Sequence, residues 1–113
     1  MTSCLVLLPA AADIPSDVPG AEVHRYRSGL DIPGILRGCP LPAVICADAI
    51  DPAHEGAVAE AIRHHPPPVV AVRSAPWDGE TPDPIAAAAR GVVAGFGLRG
   101  VFRAAELFSQ PPA

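Results

Sequence analysis

Lysine and asparagine are absent from the 113 residues, so all eight basic residues are arginines. Any anion held by this chain must therefore be held by arginine, and chemistry that needs a side-chain amide has only glutamine to draw on. Aromatic residues are scarce, at 4% of the chain, with Trp77 and Tyr26 each the sole member of its type. A core must be built from Val, Ile, Leu and Ala instead. No apolar run reaches the roughly 20 residues of a membrane span. The three cysteines, Cys4, Cys39 and Cys46, form no Cys-x-x-Cys pair. Their odd number, with no basic region of a secretory leader at the N-terminus, points to a reducing, cytoplasmic setting. The formal net charge of -4 argues against nucleic acid as a partner. What is present is a half-hydrophobic chain with 15 prolines. That is too apolar for disorder and long enough for one domain, expected over residues 1–108, with 109–113 a frayed tail.

Short apolar runs recur along the chain. Cys4 to Leu8 reads as a buried strand ended by Pro9. Pro15 and Pro19 keep the segment from Ala10 to Gly20 a loop. Ala21 to Arg27 reads as a second strand, followed by a short helix with Asp31 as N-cap, Pro33 in its first turn and Gly38 at its end. Ala43 to Cys46 is the third strand. Asp51-Pro52 then opens the clearest helix, with Val58, Ala61 and Ile62 as its apolar stripe and Pro66 as its stop. Pro68 to Val72 is the fourth strand, and a polar loop leads to Asp83-Pro84 and a helix over Ile85 to Arg90. Gly91 to Phe96 and Leu98 to Phe108 complete the pattern as strand and helix. Apolar strands alternating with helices predict a small flavodoxin-like α/β fold, a doubly wound five-stranded parallel sheet with helices on both faces. Ligands of such sheets bind outside the carboxyl ends of the strands. That rule selects Arg27 and Ser28 after the second strand, Asp48, Asp51 and His54 after the third, and Arg73, Ser74, Trp77, Asp78 and Glu80 after the fourth.

Val44 to Val72 (VICADAIDPAHEGAVAEAIRHHPPPVVAV) resembles the central segment of type II 3-dehydroquinate dehydratases, where a strand runs into Asn-Pro-Gly-Ala, a His-bearing turn, a helix and Pro-Val-Val-Glu-Val-His. Gly91 to Leu107 (GVVAGFGLRGVFRAAEL) is similar to that family's last strand and helix, and Val23 to Gly38 fits its second strand and short helix more loosely. The resemblance covers the last two thirds of the chain and implies the family's fold, with assembly into homo-oligomers. It does not carry the family's chemistry. The family's lid bears an essential arginine and a catalytic tyrosine, but Pro9 to Gly20 holds neither and is too short for the family's first helix. The family's asparagine after the third strand falls on Ala47, its next histidine on Ala53 beside His54, and its histidine after the fourth strand on Arg73.

Two expectations follow. In the first, the chain is a divergent, shortened lyase or dehydratase-like enzyme that moves protons on a small polar carboxylate. His54 or Asp48 would handle the proton. Arg73 and Arg27 would hold the anion, with Ser74, Asp51 and Trp77 lining the site. In the second, the protein is non-catalytic and uses the fold for oligomerisation or partner binding. The residue readings stay open at this level: Asp51 is also a cap, Arg73 also a salt-bridge partner for Asp48 or Glu80, and Trp77 also a loop anchor. No cofactor is expected. No metal is expected either, because His64-His65 have no further ligand at metal spacing. The glycines at 91, 95 and 97 do not make a phosphate loop.

Overall fold

The computed structural model describes residues 3–12, 20–76, 80, 82–97 and 99–109. Five strands, β1 (Cys4–Pro9), β2 (Ala21–Tyr26), β3 (Ala43–Cys46), β4 (Val69–Arg73) and β5 (Gly91–Ala94), form one sheet of order β2-β1-β3-β4-β5. Every pairing is parallel. Four helices connect or follow them: α1 (Ile32–Gly38), α2 (Glu55–His64), α3 (Pro84–Ala88) and α4 (Arg99–Ser109). This is the doubly wound arrangement that the alternation predicts.

The central strands β1 and β3 are buried throughout, because both faces of the sheet are covered. On one face Leu5, Leu7, Ile45 and Ala71 meet Ile32 and Leu36 of α1, Val58 and Ile62 of α2, and Ile85 of α3. On the other, Cys4, Val6, Val44, Cys46 and Val72 meet Val101, Ala104 and Ala105 of α4. Alternation along each strand sends neighbours to opposite clusters. Gly100 lets α4 sit close, since a Cβ there would lie 3.0 Å from Val72 and 3.2 Å from Val93.

The element bounds shift in ways that the hydrogen bonds explain. The last strand stops at Ala94, because Gly95 adopts φ 84 and turns its N–H back to the carbonyls of Arg73 and Ala75. Phe96 is consequently outside the strand and 63% exposed. The third helix ends at Ala88 rather than Arg90, because Ala89 is already extended and the Arg90 N–H bonds to Val69 O at the sheet. Asp31 does not cap α1 with its side chain. Its carboxylate accepts the N–H groups of Arg27 and Ser28, while Ser28 Oγ accepts from Leu30, closing a capping box on the 3-10 turn Gly29–Asp31. Asp51 does cap as expected, accepting from Ala53 at 2.9 Å, but the turn it opens is 3-10 (Pro52–His54) before α2 begins at Glu55. Of the expected loop from Ala10 to Gly20, residues 13–19 lie outside the described residues, as do Trp77 and Asp78. Ahead of that loop, Arg25 donates to the carbonyls of Pro9 and Ala12 and holds the exit of β1 against β2.

Candidate functional site

The carboxyl edge of the sheet gathers its polar side chains into two groups. The first lies over β3 and β4. Arg73, at the end of β4, donates from Nε and Nη2 to the two carboxylate oxygens of Asp83 at 3.1 and 3.0 Å. Its Nη1 donates to Ala47 O at 2.7 Å, and Glu55 Oε1 stands 3.6 Å from Nη2. This bidentate geometry is the strong form of an ion pair. The sequence suggested Asp48 or Glu80 as salt-bridge partners; the carboxylates that pair with Arg73 here are Asp83 and Glu55. Burial works against the Arg73 charge, but Asp83 and Glu55 outweigh it and raise the guanidinium above its ordinary value. Burial alone would likewise raise the Asp83 carboxyl. The Arg73 hydrogen bonds and charge, with the N–H groups of Ala86 and Ile85, hold it below its usual range instead. Asp83 thus closes the ion pair and caps α3 with one side chain. Asp48 is exposed, and its Oδ1 accepts the Ser74 N–H at 3.0 Å, tying the loop after β3 to the loop after β4. Ser74 contributes its backbone here, with its carbonyl accepting from Gly97.

The second group joins the loop after β2 to the start of α2. His54 is half-buried at the end of the 3-10 turn, with Nδ1 3.4 Å from Ser28 Oγ. Gly29 lies directly beneath it: a Cβ at that position would come within 2.9 Å of His54 Cβ and 3.0 Å of Ile50 Cγ2. Arg27 is exposed, and no acceptor for its guanidinium is found among the described residues. Glu55, next to His54 in the chain, connects the two groups through Arg73. Asp51 spends its side chain on the cap.

Three participants were not legible from the sequence. Asp83 carried a helix-start signal but no sign of its pairing, which spans ten residues. Tyr26 is 2% exposed and donates its hydroxyl to Cys46 O at 2.5 Å. Burial, then the neighbouring Cys46, push its phenol well above the ordinary tyrosine value, so it offers no tyrosinate. His65 is buried, with Nε2 2.7 Å from Leu41 O, where only a place in a helix last turn was expected. Among the described residues no three His, Cys, Asp or Glu side chains are placed to hold a metal, and no helix is long and apolar enough to cross a membrane. A groove of about 690 Å³ lies away from these groups, between α1 and α2 toward the amino ends of β3 and β4.

No protein-family model matches the chain, and no curated protein sequence does. Among solved structures, the chain is similar to the crystal structure of type II dehydroquinase from Propionibacterium acnes, with a TM-score of 0.72 and 18% sequence identity. The match covers 96% of this chain and 98% of that one. The resemblance carried by Val44 to Val72 and Gly91 to Leu107 thus extends to the whole architecture, and the chain has the fold of a type II dehydroquinase.

Proposed function

We propose that this protein is a non-catalytic member of the dehydroquinase fold that works by association, chiefly with copies of itself. The observation that carries this reading is the state of Arg73. The cation at the position of a family histidine is held by Asp83, Glu55 and the Ala47 carbonyl, so a substrate anion would have to displace a bidentate carboxylate to reach it. Asp48 is tied to Ser74, and the single tyrosine is sealed under the sheet edge. A small chain gains buried area by assembling, and Phe96 and Leu107, at 63% and 61% exposure, offer apolar surface for it. Three unpaired cysteines fit a cytoplasmic setting.

A second reading rests on one observation. The His54 ring and the Ser28 hydroxyl lie 3.4 Å apart at the carboxyl edge, and Arg27 in the same loop has its guanidinium open to solvent. In this reading His54 shuttles a proton on a small polar carboxylate that Arg27 holds, as a dehydratase-like step requires. Incubation with dehydroquinate, followed by detection of dehydroshikimate, separates the two. The expected result is no formation above buffer, together with an oligomer by light scattering at micromolar concentration. Turnover that disappears in His54→Ala would overturn the non-catalytic reading, and a monomer would overturn its assembly.

A further inference from the structure

The groove between α1 and α2 has no part in the carboxyl-edge groups, and its make-up is specific. Its walls are Pro33, Leu36 and Pro40 on the α1 side and Ala57, Ala61 and Pro66 on the α2 side. Alanines on α2 face larger residues on α1, which leaves a hollow instead of a packed seam. At about 690 Å³ it falls within the range of small-molecule sites, which are concave, mostly apolar and furnished with a few polar groups.

Those polar groups are unequal in charge. Glu60 is compensated within α2 by Arg63 Nη1 at 3.2 Å, and its other carboxylate oxygen lies 2.7 Å from His64 Nε2. His65 commits Nε2 to Leu41 O. Arg37, at the end of α1, has no carboxylate paired with it among the described residues. The groove therefore presents an apolar hollow with one uncompensated guanidinium at its rim, at the end of the sheet opposite His54 and Arg73.

We propose that this groove binds a single-headed amphiphilic organic anion, its apolar body between α1 and α2 and its anionic group on Arg37. The charge balance selects an anion over a cation or a neutral ligand, and the alanine floor selects a compact apolar body over a flat protein surface. The site is independent of whether the carboxyl edge turns over a substrate.

The test uses the full chain and two fluorescent probes, the anion 1-anilinonaphthalene-8-sulfonate and its neutral counterpart N-phenyl-1-naphthylamine. Both are expected to bind saturably at one site per chain. Ala61→Trp fills the hollow and abolishes both signals, and Ala57→Trp, at an exposed position, does the same without threatening the fold. Arg37→Gln weakens the anionic probe about tenfold, the loss of one charge-assisted contact, and leaves the neutral probe unchanged. Arg99→Gln, on the other face of the sheet, changes neither. Far-UV circular dichroism and thermal melts accompany each variant, so that a signal from an unfolded chain is recognised. Binding that survives both tryptophan variants, or equal losses in Arg37→Gln and Arg99→Gln, would overturn the proposal. So would a wild-type dimer that binds no probe and dissociates on Ala57→Trp, because the groove would then be the seat of a second copy.

Discussion

Arg73 shows how one residue can look like a ligand contact and act as a structural tie. A guanidinium at the end of a buried strand offers five donors in a fixed fork, and the chain itself supplies matching acceptors: two oxygens from Asp83, one carbonyl from Ala47, and Glu55 nearby. Asp83→Asn tests the charge separately from the cap, since asparagine still accepts from the α3 N–H groups. The loss expected in urea unfolding at pH 7 is about 1–2 kcal/mol, less than for a fully buried pair because both side chains keep some solvent. The pH dependence follows from the depressed Asp83 carboxyl. A carboxyl held lower in the folded state contributes stability that is complete above its unfolded value of about 4 and fades as pH falls through its folded value. The gap between wild type and Asp83→Asn should therefore narrow as pH falls below about 4. A difference that is constant with pH would mean that Asp83 acts through its cap alone.

At the scale of elements, the ends of helices were the readable part and their docking was not. Asp51-Pro52 and Asp83-Pro84 announced helix starts, because an acceptor followed by a residue with fixed φ satisfies a local requirement. Asp31 carried the same signal and serves a different turn, since its carboxylate reaches back to the N–H groups of Arg27 and Ser28 while the Ser28 hydroxyl, three residues earlier, takes the Leu30 N–H. The approach of the β2–α1 turn to α2 is decided by Gly29, whose missing Cβ leaves room for His54 and Ile50. Gly29→Ala forces a 2.9 Å contact with a Cβ that cannot rotate away, so α2 must shift. The expected cost is about 1–3 kcal/mol by chemical denaturation, with a change in the His54 imidazole proton resonances. Wild-type stability together with an unchanged His54 signal would show that the turn and α2 are not tightly docked.

The molecule as a whole is a two-faced sheet with a radius of gyration of 12.7 Å. Its three thiols report on that burial. Cys4 and Cys46 are fully buried in the α4-facing cluster, and burial first of all raises both thiols. Cys39 is partly exposed and donates to Glu22 Oε2 at 3.3 Å, and burial followed by that carboxylate raises it too. In native protein one thiol per chain should react with a disulfide reagent, more slowly than a free cysteine does, because less of it is thiolate. The other two should react only at the rate of global unfolding, and all three at once in denaturant. Three equally fast thiols in the native state would mean that the α4 face opens readily. The apolar runs made the strands that carry Cys4 and Cys46 readable as buried, and Cys39, after the end of α1, lies outside any such run.

The sequence by itself determined the fold class, since strand period, helix-start residues and prolines act over a few residues and leave their mark in order along the chain. Laid beside the type II dehydroquinase pattern it resembles, it also lacks the tyrosine, asparagine and histidines at the matching places, with Ala47, Ala53 and Arg73 standing there instead. The tertiary structure decided what the charged residues do. Arg73 meets Asp83 and Glu55, Asp48 meets the Ser74 amide, Tyr26 meets the Cys46 carbonyl, and Arg37 meets no carboxylate among the described residues. An ion pair depends on distance in space, and a parallel sheet places side by side strand ends that are far apart in the chain, such as Cys46 and Arg73. Only the folded molecule, for that reason, separates a charge that is paired within the chain from one that is not.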